Sequence, residues 1–148
     1  MKEKKNIPST PEEKKVVNSM LLKAAEITSE RLVSEALRLG ADVNAKTSEG
    51  RTVLMEAARK GHVGIARLLV GAGADVDATN NNGKTALMFA SGNGYAEVVK
   101  MLLDAKADVN AKTDEGRMAL IAAVENGFVE VVKMLLDAKA DVNAKTGR

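Results

Sequence analysis

A single histidine, His62, and four Asp-x-Asn or Asp-x-Asp pairs are the side chains whose type and spacing invite a chemical reading. An imidazole can ligate a metal or carry a proton near neutral pH. The pairs Asp42/Asn44, Asp75/Asp77, Asp108/Asn110 and Asp141/Asn143 look like the opening of a calcium loop. Such a loop needs glycine at its sixth position, for a sharp turn, and a bidentate glutamate at its twelfth. Counted from Asp75, those positions hold Asn80 and Ala86, so the pairs are expected to bond to their own turns instead. Without cysteine there is no thiolate metal site, no disulfide and no cysteine nucleophile. No glycine-rich phosphate loop, G-x-S-x-G elbow or H-E-x-x-H helix occurs, and nothing pairs a serine with a lysine. Neither an enzyme nor a bound cofactor or metal is expected.

Composition narrows the binding partners as well. The 148 residues fit one domain and are 45% hydrophobic and 28% charged, a globular balance, yet aromatics supply only 2%. The core must therefore be built from Ala, Val, Leu, Ile and Met, which suits many thin layers of closely packed helices. The net charge of +2 comes from interspersed acids and bases. The one dense group of cations, Lys2, Lys4 and Lys5 with Lys14 and Lys15 beyond, is interrupted by Glu3, Glu12 and Glu13. That reads as a solvated tail, not as the clustered cations that displace phosphate counterions, so no nucleic acid is expected. No apolar run approaches the roughly 20 residues of a membrane helix, and MKEKKNIPST lacks the apolar centre of a signal peptide. A cytoplasmic location, or a leader already removed, is the expectation.

The elements that position these residues repeat. ADVNAKT stands at 41–47, 107–113 and 140–146, with ADVDATN at 74–80, so the starts fall every 33 residues. Residues 97–113 and 130–146 are the same string, EVVKMLLDAKADVNAKT, which points to internal duplication. Each period reads as two short helices and a turn. GRTVLMEAARK (50–60), GKTALMFASGN (83–93) and GRMALIAAVEN (116–126) carry the first helix, with Thr52 and Thr85 as N-caps. Gly61, Gly94 and Gly127 break the chain before second helices at 62–70, 95–103 and 128–136. Val98, Met101 and Leu102 share one face of the middle one, and Met55, Met88, Met101 and Met134 fall at core spacing. Gly50, Gly83 and Gly116 supply the positive φ that closes a hairpin-like finger.

An atypical unit precedes these. Residues 21–40 match the two-helix pattern with Thr28-Ser29 at the turn. Upstream, Thr10-Pro11-Glu12-Glu13 is a capping box with proline in the first turn, which predicts a long helix from about Pro11 to about Glu26. Val17, Met20, Leu21 and Ala24 face the stack, and residues 1–9 form a disordered tail. One domain over 10–148 results: a cap (10–40), full units at 41–73, 74–106 and 107–139, and the start of an incomplete unit (140–148).

The period, the paired helices, the ADVNA string and a first helix opening as Thr52-Val53-Leu54-Met55, Thr85-Ala86-Leu87-Met88 and Met118-Ala119-Leu120-Ile121 together resemble the ankyrin repeat. The resemblance covers residues 21–148 and implies an all-α solenoid of stacked units, each a helix-turn-helix with a β-hairpin-like finger. It also implies a structural role for His62, at a turn where the family often carries histidine. Two departures stand out. Proline and histidine are missing from the Thr-Pro-Leu-His stretch and Met118 replaces its threonine, so apolar contact must take over from side-chain hydrogen bonds. The glycine that ends the second helix at Gly40 and Gly73 is replaced by Lys106 and Lys139. Left-handed lysines there would strain the chain, and Lys106→Gly should raise the melting temperature.

Function follows from the resemblance. Ankyrin proteins bind other proteins on a concave face of fingers and first helices. Carried over by position, that face offers Lys46, Ser48, Glu49, Arg51, Arg59 and Lys60 from the first unit. Asn81, Asn82, Lys84, Phe89 and Asn93 follow from the second, and Lys112, Asp114, Glu115, Arg117, Glu125 and Asn126 from the third. Its charge grades from +3 through +1 to −1 along the stack. The alternative is a structural or spacer segment with no partner of its own. The third unit copies an internal one and lacks a polar outer face, so weak end-to-end self-association is a further expectation.

Overall fold

The computed structural model describes residues 8–143. Among them are eight helices: α1 (Pro11–Glu26), α2 (Glu30–Arg38), α3 (Val53–Lys60), α4 (Val63–Gly71), α5 (Ala86–Gly92), α6 (Ala96–Asp104), α7 (Ala119–Glu125) and α8 (Val129–Asp137). The all-α solenoid expected from the sequence is what forms. First helices α1, α3, α5 and α7 pack in one row, second helices α2, α4, α6 and α8 in another, and each pair closes a unit.

Local chemistry sets the helix limits. Thr10 accepts from Glu13 N at 3.1 Å and Pro11 occupies the first turn, so α1 spans the range the capping box indicates. Leu21 and Ala24 are buried and Val17 and Met20 half-buried, as expected, while Ala25 is also buried. Thr52 and Thr85 cap α3 and α5 through Met55 N (3.2 Å) and Met88 N (3.3 Å). Met118, in the same place on α7, makes no cap bond and is 1% exposed, apolar burial replacing the hydroxyl. His62 caps α4, its Nδ1 accepting from Ile65 N at 3.2 Å. Of the expected tail, residues 1–7 lie outside the described residues, as do 144–148 of the incomplete unit. Pro8, by contrast, is buried, and a Cβ on Gly40 would come within 2.8 Å of its ring. A proline that gives up no N–H and lies on a bare backbone is easily buried, so the cap includes it.

Second helices end in a repeated turn. Ala107 N bonds to Leu102 O and Lys106 N to Leu103 O, both at 3.0 Å, and Lys139-Ala140 repeats the pattern on Leu136 and Leu135. This is the two-bond helix ending that requires a left-handed residue, and the lysines comply at φ 68° and 73°. Gly50, Gly83 and Gly116 close the fingers with positive φ, as expected.

Small residues make the thin layers possible. Ala57, Ala58, Ala86, Ala90, Ala119 and Ala123 are at most 2% exposed where first helices meet. Between units the closest seats are glycines: the Tyr95 ring lies where a Cβ on Gly61 would stand (2.6 Å), and the Phe128 ring does the same at Gly94 (2.6 Å). Gly127, next in register, has nothing within 4 Å of that position.

Candidate functional site

The Asp-x-Asn pairs resolve into structure. Each Asp caps its own turn: Asp42, Asp75, Asp108 and Asp141 accept from the backbone N of the residue two places on, at 2.9–3.0 Å. The second member reaches the next unit. Asn44 Oδ1 accepts from Asp75 N (2.8 Å), Asp77 Oδ1 from Asp108 N (2.7 Å) and Asn110 Oδ1 from Asp141 N (2.8 Å). Asn18 of α1 plays the same part for Asp42 N at 2.7 Å, which joins the cap to the series. These oxygens are occupied by backbone donors. No group of three or more metal-ligating side chains occurs among the described residues.

The face made by fingers and first helices carries hollows between units. One is lined by Thr47, Arg51 and Glu56 with Leu22 and Glu26 of α1. Another lies between Lys84, Phe89 and Gly92 on one side and Arg117 and Ala122 on the other. All the residues carried over by position are described, but they divide into two groups.

The first group holds the stack together. Lys46 Nζ donates to Thr79 O (3.1 Å), and Asn81 bonds through Nδ2 to Ser48 O (3.1 Å) and through its backbone N to Glu49 O (3.0 Å). Thus Lys46, Ser48, Glu49 and Asn81 lock neighbouring fingers. One turn further, Asn93 Nδ2 donates to Arg59 O (3.3 Å), Asn126 Nδ2 to Gly92 O (3.0 Å) and Lys60 Nζ to Glu26 O. Three long polar side chains in register, 33 residues apart, each bridge to the helix before.

Sequence reasoning missed Glu56. Its side chain is 11% exposed and receives Arg59 at 2.6 Å, Arg51 at 3.3 Å and Lys60 at 3.6 Å. Burial pushes its pKa up, but the hydrogen bonds and charges of Arg59 and Arg51 outweigh this and hold it below the ordinary value. Glu56 raises the Arg59 pKa in return, against a smaller opposing effect of burial. The basic end of the face is therefore an ion-pair cluster, with one positive charge less than the sequence count assigned it. The spacing of Glu56 to Arg59 and Lys60, three and four residues on one helix, was the available signal. At the other end Arg117 and Glu125 pair with each other at 2.7 Å. Their hydrogen bond raises the arginine pKa and lowers that of the glutamate.

The second group is uncommitted. Lys84, Lys112, Asp114 and Glu115 are exposed and make no side-chain hydrogen bond or ion pair, and the Asn82 side chain makes none either. Phe89 is half-buried beneath the Lys84 amine, 5.7 Å from its ring centroid. In register with Phe89 stand Glu56 and Ala122, so one equivalent place carries an acid, an aromatic ring and a methyl group.

No curated protein matches the chain. A family model of ankyrin repeats in three copies matches residues 20–113 and 73–146, taking in the end of α1, all of α2 and every full unit. With the 33-residue register, the paired helix rows and the fingers already seen in the structure, the chain belongs to the ankyrin-repeat family.

Proposed function

We propose that this chain is a non-enzymatic protein-interaction module that engages its partner on the face of fingers and first helices. Ankyrin repeats are generally protein–protein interaction modules. The observation that carries the reading is the division of labour just described. Lys84, Lys112, Asp114 and Glu115 make no side-chain hydrogen bond or ion pair, yet all stand on one face, around half-buried Phe89, beside residues that do. In this reading the cap, extended to Pro8, precedes full units at 41–73, 74–106 and 107–139.

The test compares two sets of charge reversals in capture of a partner from the source organism. Lys84→Glu, Asp114→Lys and Glu115→Lys alter the uncommitted face; Lys100→Glu and Lys133→Glu alter exposed positions on α6 and α8. Loss of the partner with the first set alone is the expected result. Loss with the second set alone would move the interface to the second helices, and no specific partner at all would favour the spacer reading. Arg51, Arg59 and Lys60 are poor targets, since their reversal would surround buried Glu56 with acids.

A second reading, weak self-association through the third unit, rests on Val124 and Val129, which are 58% and 63% exposed. Val124 stands in register with Ala58 and Ser91, both fully buried against the following unit. Sedimentation that shifts with concentration, and ceases to shift in Val129→Lys, is expected. A strict monomer at all concentrations would dismiss it.

A further inference from the structure

The hollow between α5 and α7 repeats, two units on, the one between α1 and α3, but it is larger, about 240 Å³ against 140 Å³, and its origin can be traced residue by residue. In the first unit the equivalent space is filled by the Glu56–Arg59 ion pair. In the second unit Arg59 is replaced by Gly92, and a Cβ placed there would touch only Ala122, at 3.5 Å. Phe89 forms one wall, Ala122 is too small to fill the gap, and a cleft of about 240 Å³ remains. An apolar cavity of roughly 150 Å³ already accepts a benzene ring, so the space admits one leucine-sized side chain.

Charge at the rim is asymmetric. Arg117 is neutralised by Glu125 at 2.7 Å, while Lys84 has no acidic partner and its amine sits 5.7 Å from the Phe89 centroid. The Lys84 amine, itself on the cleft lining, stands 5.7 Å from the Phe89 wall, within the roughly 7 Å that separates two side chains on one face of an extended strand.

We infer that this cleft is the anchoring site of the interaction face, and that it takes an extended protein segment of the pattern acid-x-aliphatic. The aliphatic side chain enters beside Phe89, over Gly92 and Ala122, and the carboxylate meets Lys84. This rests on the protein-binding reading above and specifies the chemistry of the partner.

Three acetylated and amidated probes test it on the full chain: Glu-Ser-Leu-Ser, Gln-Ser-Leu-Ser and Glu-Ser-Ala-Ser. The readout is the methyl resonances of the seven methionines, of which Met88 and Met118 line the cleft. Glu-Ser-Leu-Ser should shift those two methyls and bind about threefold tighter than the glutamine peptide, as expected of one exposed ion pair. It should bind about tenfold tighter than the alanine peptide, as expected of a buried leucine side chain. Lys84→Gln should erase the first preference and Gly92→Leu, which fills the cleft, should erase binding. Gly92→Ala, which meets no close contact, serves as the milder version should leucine disturb the fold. Equal binding of all three probes, shifts confined to other methionines, or no shift up to roughly 10 mM would each overturn the assignment. Those results would leave the broader reading to the capture experiment, in which Asp114→Lys and Glu115→Lys alter the face outside this cleft.

Discussion

Replacing Lys106 by glycine isolates a strain that the repeat imposes on its own sequence. Lys106 is held at φ 68° because its N–H and that of Ala107 must reach Leu103 O and Leu102 O to finish α6. A side chain in that left-handed region costs about 1–2 kcal/mol. Glycine removes the cost but returns about 0.4–1 kcal/mol through its greater freedom in the unfolded chain. The net gain for Lys106→Gly is about 0.5–1 kcal/mol. At about 2 cal/mol/K of unfolding entropy per residue, a chain of this length gains roughly 2–3 °C in melting temperature. Lys139, at φ 73° in the same turn one unit later, should add a similar amount, because sites this far apart behave independently. Thermal and urea unfolding followed by circular dichroism supply the assay, with the midpoint rising and the urea slope unchanged. Lys106→Ala is the control: it discards the amine and stem but keeps the strained backbone, so it should give no gain. A melting temperature that stays or falls in Lys106→Gly would refute the reasoning, and so would an equal rise in Lys106→Ala.

Three further perturbations probe the stack. Gly94→Ala should cost about 3 kcal/mol, since its Cβ would meet the Phe128 ring at 2.6 Å as well as the left-handed backbone; Gly127→Ala, at nearly the same φ with nothing within 4 Å, should cost about 1. Equal losses in denaturant unfolding would show that ring-on-glycine seating contributes nothing. Ser91→Ala should stabilise by about 1 kcal/mol, because the Ser91 hydroxyl is fully buried and has no hydrogen-bond partner; a loss of stability would reveal a partner for it. Glu56→Gln should cost about 1–2 kcal/mol at neutral pH by weakening the bonds from Arg59 and Arg51. The Glu56 pKa is depressed by folding, so its contribution is present above the ordinary value of 4.5 and is lost as pH falls through the lower folded value. The variant should therefore lose less stability than the parent on acidification below that range, and parallel pH profiles would contradict the assignment.

Much of the fold was legible because it is written locally and repeated. Helix starts depend on residues three apart, as at Thr10 and Glu13, and helix ends on single left-handed positions, as at Lys106. The 33-residue period then multiplied each signal. What was not legible depends on one unit lying against the next. Asn44, Asn93 and Asn126 look like ordinary surface amides, yet their partners stand 31 or 34 residues away and come within reach only once the units stack. Hence several residues carried over as partner contacts turned out to bind their own chain. Glu56 was overlooked for a related reason. A charged residue at a place that holds Phe89 and Ala122 in the other units follows no periodic rule, and only the convergence of three cations explains its burial. Phe89 itself was visible as the one aromatic on the face, but the cleft beside it arises from Gly92 and Ala122, whose smallness matters only across the unit boundary.

Hydrogen–deuterium exchange of the full chain, with and without a captured partner, tests the central claim most directly. If the finger and first-helix face binds, protection should appear in residues 80–84 and 113–117 and in α5 and α7, while α6 and α8 remain unchanged. Protection confined to the second helices would contradict the account.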